Sequence, residues 1–154
     1  MRKSLPEHPL PPTPARSRIM RSIRGKDTAP ELLVRSALHR SGFRFRVNVR
    51  ALPGCPDIVL PKHKTVIFVH GCFWHRHIGC LKSSLPKRNR AWWVDKLRRN
   101  RARDRKAHAT LTAMGWRVIV VWECELPTQP EAIDPNRWPS IVRRLLQRGR
   151  SVRD

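Results

Sequence analysis

Residues 57–70 read Asp-Ile-Val-Leu-Pro-Lys-His-Lys-Thr-Val-Ile-Phe-Val-His. Two β-branched, apolar runs, Asp57–Leu60 and Thr65–His70, are separated by the four residues Pro61–Lys64, the signature of strands joined tightly enough to pair antiparallel. In such a pair the start of the first strand lies beside the end of the second. Asp57 is therefore expected near Phe68–His70, with polar groups gathered at that end of the hairpin. Upstream, Phe43–Val49 alternates, with Phe43, Phe45, Val47 and Val49 on one face and Arg44, Arg46 and Asn48 on the other, as in a half-buried strand with a basic outer face. Leu52-Pro53-Gly54-Cys55-Pro56 then turns the chain into the hairpin.

Helices flank this core in sequence. Thr28-Ala-Pro-Glu31 places a capping hydroxyl three residues before a carboxylate and a proline in the first turn, and Gly42 closes the helix that follows. A shorter helical signal spans Ser17 to about Arg24. A long helix is expected from about Arg90 to Met114, with an inward stripe of Trp93, Leu97, Asn100, Asp104, Ala107, Leu111 and Met114. Two polar residues interrupt that stripe. Gly115 ends the helix, and Trp116–Trp122 reads as a strand buried on both faces of a mixed sheet. A last helix is expected at about Pro139–Gln147. Five prolines within residues 1–16 indicate a disordered leader, residues 17–148 form a single domain, and residues 149–154 form a frayed tail. The succession predicts an α/β fold, a central mixed sheet flanked by helices.

The chain has 154 residues, with 33 Lys+Arg against 11 Asp+Glu, a formal charge of +22. Hydrophobic residues make up 40%, enough to form a core despite the repulsion. A polyanion is the expected partner, nucleic acid foremost, because neutralising phosphates releases condensed counterions. No apolar run approaches the roughly 20 residues that cross a bilayer, and no apolar h-region follows Arg2 and Lys3, so a cytoplasmic, nucleoid-associated location is expected. In a reducing compartment the four cysteines are read as metal ligands, buried thiols or catalytic groups rather than disulfides.

Cys72, His77 and Cys80 crowd an aperiodic loop, residues 71–90, and Cys124 follows the last strand. Three thiolates and one imidazole make a closed tetrahedral zinc set with no open position for water, hence structural. The competing readings are small buried thiols and His75 as an alternative ligand; Cys55 is expected to be free. Asp57 and Glu31 offer oxygen ligands for Mg²⁺, although Glu31 serves equally as a capping residue and Asp57 as a turn residue. His70, His75 and Asp104 add proton-transfer capacity, unless Arg101 or Arg105 pairs with Asp104. Phe73-Trp74 and Trp92-Trp93, bordered by Arg88, Arg90, Arg98 and Arg99, are either core or a wedge that enters a base stack.

Taken in order, Arg21-Ser-Ile-Arg24, Asp27-Thr28-x-Pro30-Glu31, Leu52-Pro-Gly-x-Pro-Asp57-Ile-Val, Phe68-Val-His-Gly-Cys-Phe-Trp-His75-x-His77, Arg103-Asp104, Gly115-Trp-Arg-Val and Val121-Trp-Glu-Cys124 resemble the very short patch repair endonucleases across about residues 17–126. The resemblance implies a restriction-endonuclease-like core with a structural zinc site. It also implies a Mg²⁺-dependent nick 5′ to the thymine of a T·G mismatch left by deamination of 5-methylcytosine. Carried onto this chain, Asp57 is the metal-binding aspartate and the Val69 carbonyl a second metal ligand. His75 activates water with Asp104 behind it, and His70 and Glu31 are accessory groups. Cys72, His77, Cys80 and Cys124 take zinc, and Phe73, Trp74 and Trp93 enter the DNA. Implied partners are double-stranded DNA with a T·G pair and mismatch-repair mediator proteins, the chain acting as a monomer. The sequence departs from the wider nuclease pattern, which sets an acid and a lysine on the second hairpin strand where Val69 and His70 stand. A non-catalytic zinc-stapled binder and a related nuclease cutting matched sites are the alternatives.

Overall fold

The computed structural model describes residues 13–22 and 25–127. The expected helix at 139–147 and the tail lie outside the described residues. The elements are α1 (Pro14–Ser22), α2 (Ala29–Arg40), β1 (Arg46–Val47), β2 (Ile58–Leu60), β3 (Thr65–His70), α3 (Arg90–Ala113) and β4 (Arg117–Trp122), with short 3₁₀ turns at Pro61–His63, Leu81–Ser83 and Glu123–Glu125. They form a mixed four-stranded sheet in the order β1-β2-β3-β4. The hairpin is antiparallel, with Ile58 opposite Ile67 and Leu60 opposite Thr65. β3 and β4 run parallel from Thr65–Arg117 to His70–Trp122, connected through α3.

The alternation of side chains along each strand assigns the two faces. Ile58, Leu60, Ile67, Val69, Ile119 and Val121 pack with Val34, Ala37 and Leu38 of α2, and Phe43 and Phe45 close over them. Val59, Val66 and Phe68 face the other way onto Leu111 of α3, with Val49, Leu52, Trp116, Val118 and Val120 around them. The sheet thus lies between α2 and α3, and all six residues of β3 are buried.

Several sequence expectations shift. The first helix starts at Pro14, inside the expected leader, because proline is well suited to the opening turn of a helix. The strand expected over 43–49 shrinks to Arg46–Val47, both exposed. Asn48 has φ +49°, which breaks the alternation and sends Val49 to the opposite side of the sheet from Phe45. The strands buried on both faces are β2 and β3; β4 buries Ile119 and Val121 and only half-buries Val118 and Val120. In α3 the buried stripe ends at Leu111, and Met114 is 48% exposed.

Gly54 sets how closely the turn before β2 approaches α3. Its φ is +73°, and a Cβ there would lie 2.7 Å from the Cβ of Ala107 and 3.3 Å from the Phe68 ring. Gly42 has φ +80° but open space around it. In urea denaturation, Gly42→Ala is expected to cost about 1 kcal/mol from the left-handed backbone alone. Gly54→Ala should cost about 1–3 kcal/mol more through overpacking. Equal losses would show that the turn does not press on α3.

Candidate active site

The hairpin register leaves β3 three residues longer than β2 at the end where the chain enters the loop 71–89. Val69 there has no strand partner on the β2 side, and its N–H donates to Asp57 Oδ2 at 2.7 Å. This bond fixes the aspartate carboxylate at the sheet edge. Burial, together with the charge of Glu31, pushes the Asp57 carboxyl up to about 6, against the lowering effects of the Val69 N–H, Arg35 and His75. Two carboxylates removed from water within each other's field make a site that a cation relieves, so the donor chemistry fits a hard divalent metal.

Glu31 is 4% exposed. The capping reading holds in modified form: the Thr28 hydroxyl donates to Glu31 Oε1 at 2.9 Å instead of capping the backbone, and the Asp27 N–H donates to Oε2 at 2.9 Å. Arg35 adds a third donor to the carboxylate at 3.1 Å and pairs with Asp27 at 2.6 Å. Sequence reading passed over Arg35, although the i,i+4 spacing from Glu31 along α2 was a usable signal.

Three imidazoles and one carboxylate converge on the α3 face. His75 Nδ1 lies 2.7 Å from Asp104 Oδ2, so the partner of Asp104 is His75 and not Arg101 or Arg105. Asn100, the other polar residue in the stripe, donates to the carbonyl of Trp74 at 3.1 Å and ties α3 to the loop. His70 stacks on His75 with centroids 3.7 Å apart and planes within 7°. His70 is 4% exposed; burial and the charges of His75 and His108 press its pKa down to about 3, despite Asp104, so it is neutral near pH 7. Burial also pushes Asp104 upward, but the hydrogen bond and charge of His75, with those of His70 and His108, hold it below the ordinary value. His70, His75 and Asp104 bring ligand atoms within 4.8 Å of one another. The parallel rings nevertheless direct their in-plane lone pairs side by side, a poor geometry for holding one metal and a good one for proton transfer.

His108, one turn beyond Asp104, was also missed by sequence reading. Its ring lies 4.8 Å from Phe68 and 5.8 Å from His70, and burial lowers its pKa. The i,i+4 spacing from Asp104 was again the available signal.

Cys72, His77, Cys80 and Cys124 form the second cluster, with ligand atoms within 4.8 Å of one another. Tetrahedral zinc with Zn–S of about 2.3 Å and Zn–N of about 2.05 Å sets sulfur and nitrogen about 3.6 Å apart. His77 Nδ1 lies 3.7 Å from Cys72 Sγ and 3.3 Å from Cys124 Sγ, so the donors fit that ion. Burial pushes the Cys72 thiol up to about 12, a cost that metal binding as thiolate would remove. Cys55 is exposed and outside the cluster, and the half-buried His75 also lies outside it. The loop also holds itself: the buried Ser83 hydroxyl donates to the His77 carbonyl at 2.7 Å, and Arg76 donates to both Ser83 oxygens. Trp122 joins the two clusters. Its ring stacks on His77 at 4.2 Å and 3°, and meets His70 edge-on at 5.3 Å.

Phe73 and Trp74 are half-buried and pack edge-on against each other at 5.2 Å. Trp93, at 4% exposed, is the floor beneath them rather than a projecting ring, because it sits on the inward stripe of α3. The accessible aromatic surface is therefore that of Phe73, Trp74 and the half-buried Trp92, with Lys96 Nζ 4.6 Å from the Trp92 ring.

Comparison with known proteins shows the family. The family profile described as DNA mismatch endonuclease Vsr matches residues 12–81. The Type II nicking enzyme V.XorIIP of Xanthomonas oryzae is 53% identical over 115 residues, 74% of this chain and 84% of that protein. The Type II nicking enzyme V.NmeAIP of Neisseria meningitidis is 47% identical over 86% of this chain and 93% of its own length. DNA mismatch endonuclease Vsr of Escherichia coli is 42% identical over 77% and 76%. The chain belongs to the Vsr family of DNA mismatch endonucleases.

Proposed function

We propose that this endonuclease of very short patch repair nicks duplex DNA 5′ to the thymine of a T·G mismatch. In this reading Mg²⁺ serves the phosphate chemistry, Zn²⁺ staples the loop, and the core is restriction-endonuclease-like. The observation that carries the reading is that Asp57, held by the Val69 N–H, lies within the electrostatic reach of His75, which pairs with Asp104 and stacks on His70.

Asp57 and the carbonyl of Val69 would hold the Mg²⁺. The Val69 N–H already points at Asp57, and within a strand the N–H and C=O of one residue project toward the same edge. When bound, the ion supplies positive charge that offsets the charge developing on the scissile phosphate and the departing 3′-oxygen. Asp104 accepts the hydrogen on His75 Nδ1, which fixes the tautomer and leaves Nε2 to take a proton from the attacking water. The imidazolium so formed is stabilised by the same carboxylate. Neutral His70 supports the His75 ring by stacking and keeps a second positive charge away from it. Glu31 adds negative charge beside Asp57.

Cys72, His77, Cys80 and Cys124 would hold the zinc. Phe73 and Trp74 would enter the stack at the weakened T·G step, resting on Trp93, while the cations of this strongly basic chain neutralise phosphates.

Three outcomes test the proposal. With Mg²⁺, a duplex carrying one T·G pair is cut on the thymine strand, and a matched duplex is not; equal cutting of both refutes mismatch selection. Asp57→Asn abolishes nicking but retains DNA binding. In metal-free protein the same variant is more heat-stable than the parent above pH 6, because the buried carboxyl loses its protonated-state advantage as pH rises through its folded pKa of about 6. The gap closes toward pH 4, where the parent's Asp57 is neutral in the folded protein; a pH-independent gap contradicts the burial argument. Finally, removing zinc with a strong chelator should lower the melting temperature and abolish nicking that Mg²⁺ alone does not restore. Metal analysis showing less than one zinc per chain in active protein would count against the staple.

A further inference from the structure

The Glu31 carboxylate lies almost wholly out of water, and its hydrogen bonds can be counted. Oε2 accepts from the Asp27 N–H at 2.9 Å and from Arg35 Nη2 at 3.1 Å; Oε1 accepts from the Thr28 hydroxyl at 2.9 Å. Each carboxylate oxygen has two lone-pair positions. Oε2 is therefore filled, and Oε1 retains a single open position. The Arg35 side chain is itself 13% exposed, and its other terminal nitrogen is anchored by Asp27 at 2.6 Å. Its Nε is buried with no hydrogen-bond partner among the described residues, so the guanidinium has been taken from water to serve the two carboxylates.

We propose that Arg35 is a positioning residue for the nicking reaction. Its charge-assisted bond fixes the Glu31 carboxylate in one rotamer beside Asp57 and reserves the open position on Oε1 for the Mg²⁺ site. The inference rests on the accessory role given to Glu31 above. The geometry favours it over a purely helical clamp for two reasons. An i,i+4 pair on an exposed helix face stabilises weakly and needs no burial, whereas this one is buried. Also, Asp57 feels the Arg35 charge as well as that of Glu31. Arginine suits the task because its planar fork reaches both Asp27 and Glu31 at once.

The test follows nicking of a T·G duplex against Mg²⁺ concentration in Arg35→Ala, Arg35→Lys, Asp27→Asn and Glu31→Gln, with calorimetric titration of Ca²⁺ into each protein–duplex complex as a readout independent of cleavage. Arg35→Ala should raise the Mg²⁺ needed for half-maximal nicking by about tenfold and weaken Ca²⁺ binding by a similar factor, the size expected for one charge-assisted bond. Arg35→Lys should recover only part of this, because lysine keeps the charge but cannot reach Asp27 and Glu31 at once. Asp27→Asn should give a smaller shift in the same direction; asparagine tolerates the φ of +55° at that position. In a Glu31→Gln background, Arg35→Ala should add nothing. If the alanine variant does not fold, the lysine and Asp27 variants carry the same comparison. Unchanged Mg²⁺ and Ca²⁺ dependence, or a full additional loss when Glu31 is already glutamine, would overturn the proposal while leaving Glu31 in place. Wild-type Mg²⁺ dependence in Glu31→Gln alone would instead remove the accessory role of Glu31, and this inference with it.

Discussion

One hydrogen bond organises the functional end of the molecule: the amide of Val69 given to the carboxylate of Asp57. β2 stops pairing at Ile58 while β3 continues to His70. A strand that outruns its neighbour leaves a backbone donor that burial makes expensive to abandon. The aspartate that opens β2 satisfies it, and in doing so is itself drawn out of water to a place where its ionised form is disfavoured. The same overrun carries His70 onto the α3 face and starts the loop that supplies His75 and the thiols. Fold and chemistry are joined at this mismatch in strand lengths.

The hairpin and its consequence for Asp57 were readable because alternation and a four-residue connection specify an antiparallel pair with little freedom. The polar interruptions in α3 were readable for a similar reason: a carboxylate on a buried stripe requires a partner, and Asp104 found His75. What was not legible depended on single dihedral angles or on pairing across elements. Nothing in the composition of residues 43–49 announces that Asn48 takes a left-handed conformation and cuts the strand short. The burial of Trp93 beneath Phe73 and Trp74 depends on how the loop folds back over α3, which sequence spacing alone does not determine. Arg35 and His108 carried the right spacing from Glu31 and Asp104, but the same spacing occurs on many solvated helix faces.

The Cys/His cluster and the imidazole–carboxylate cluster both lie against one indole. Trp122 meets His77 face to face and His70 edge-on, and its backbone is held opposite His70 by the parallel β3–β4 ladder. One side chain therefore packs against a histidine of each cluster, so order in the loop that carries the cysteines is also order in the imidazole stack.

α3 carries Trp93 near one end and Asp104 eleven residues later. Three helical turns bring both to the same side of one rigid rod, about 16 Å apart along its axis. The platform beneath the aromatic pair and the carboxylate paired with His75 therefore share a fixed ruler. Inserting or deleting one residue between them would swing one about 100° around the axis relative to the other, so this stretch tolerates exchange of side chains far better than any change in its count.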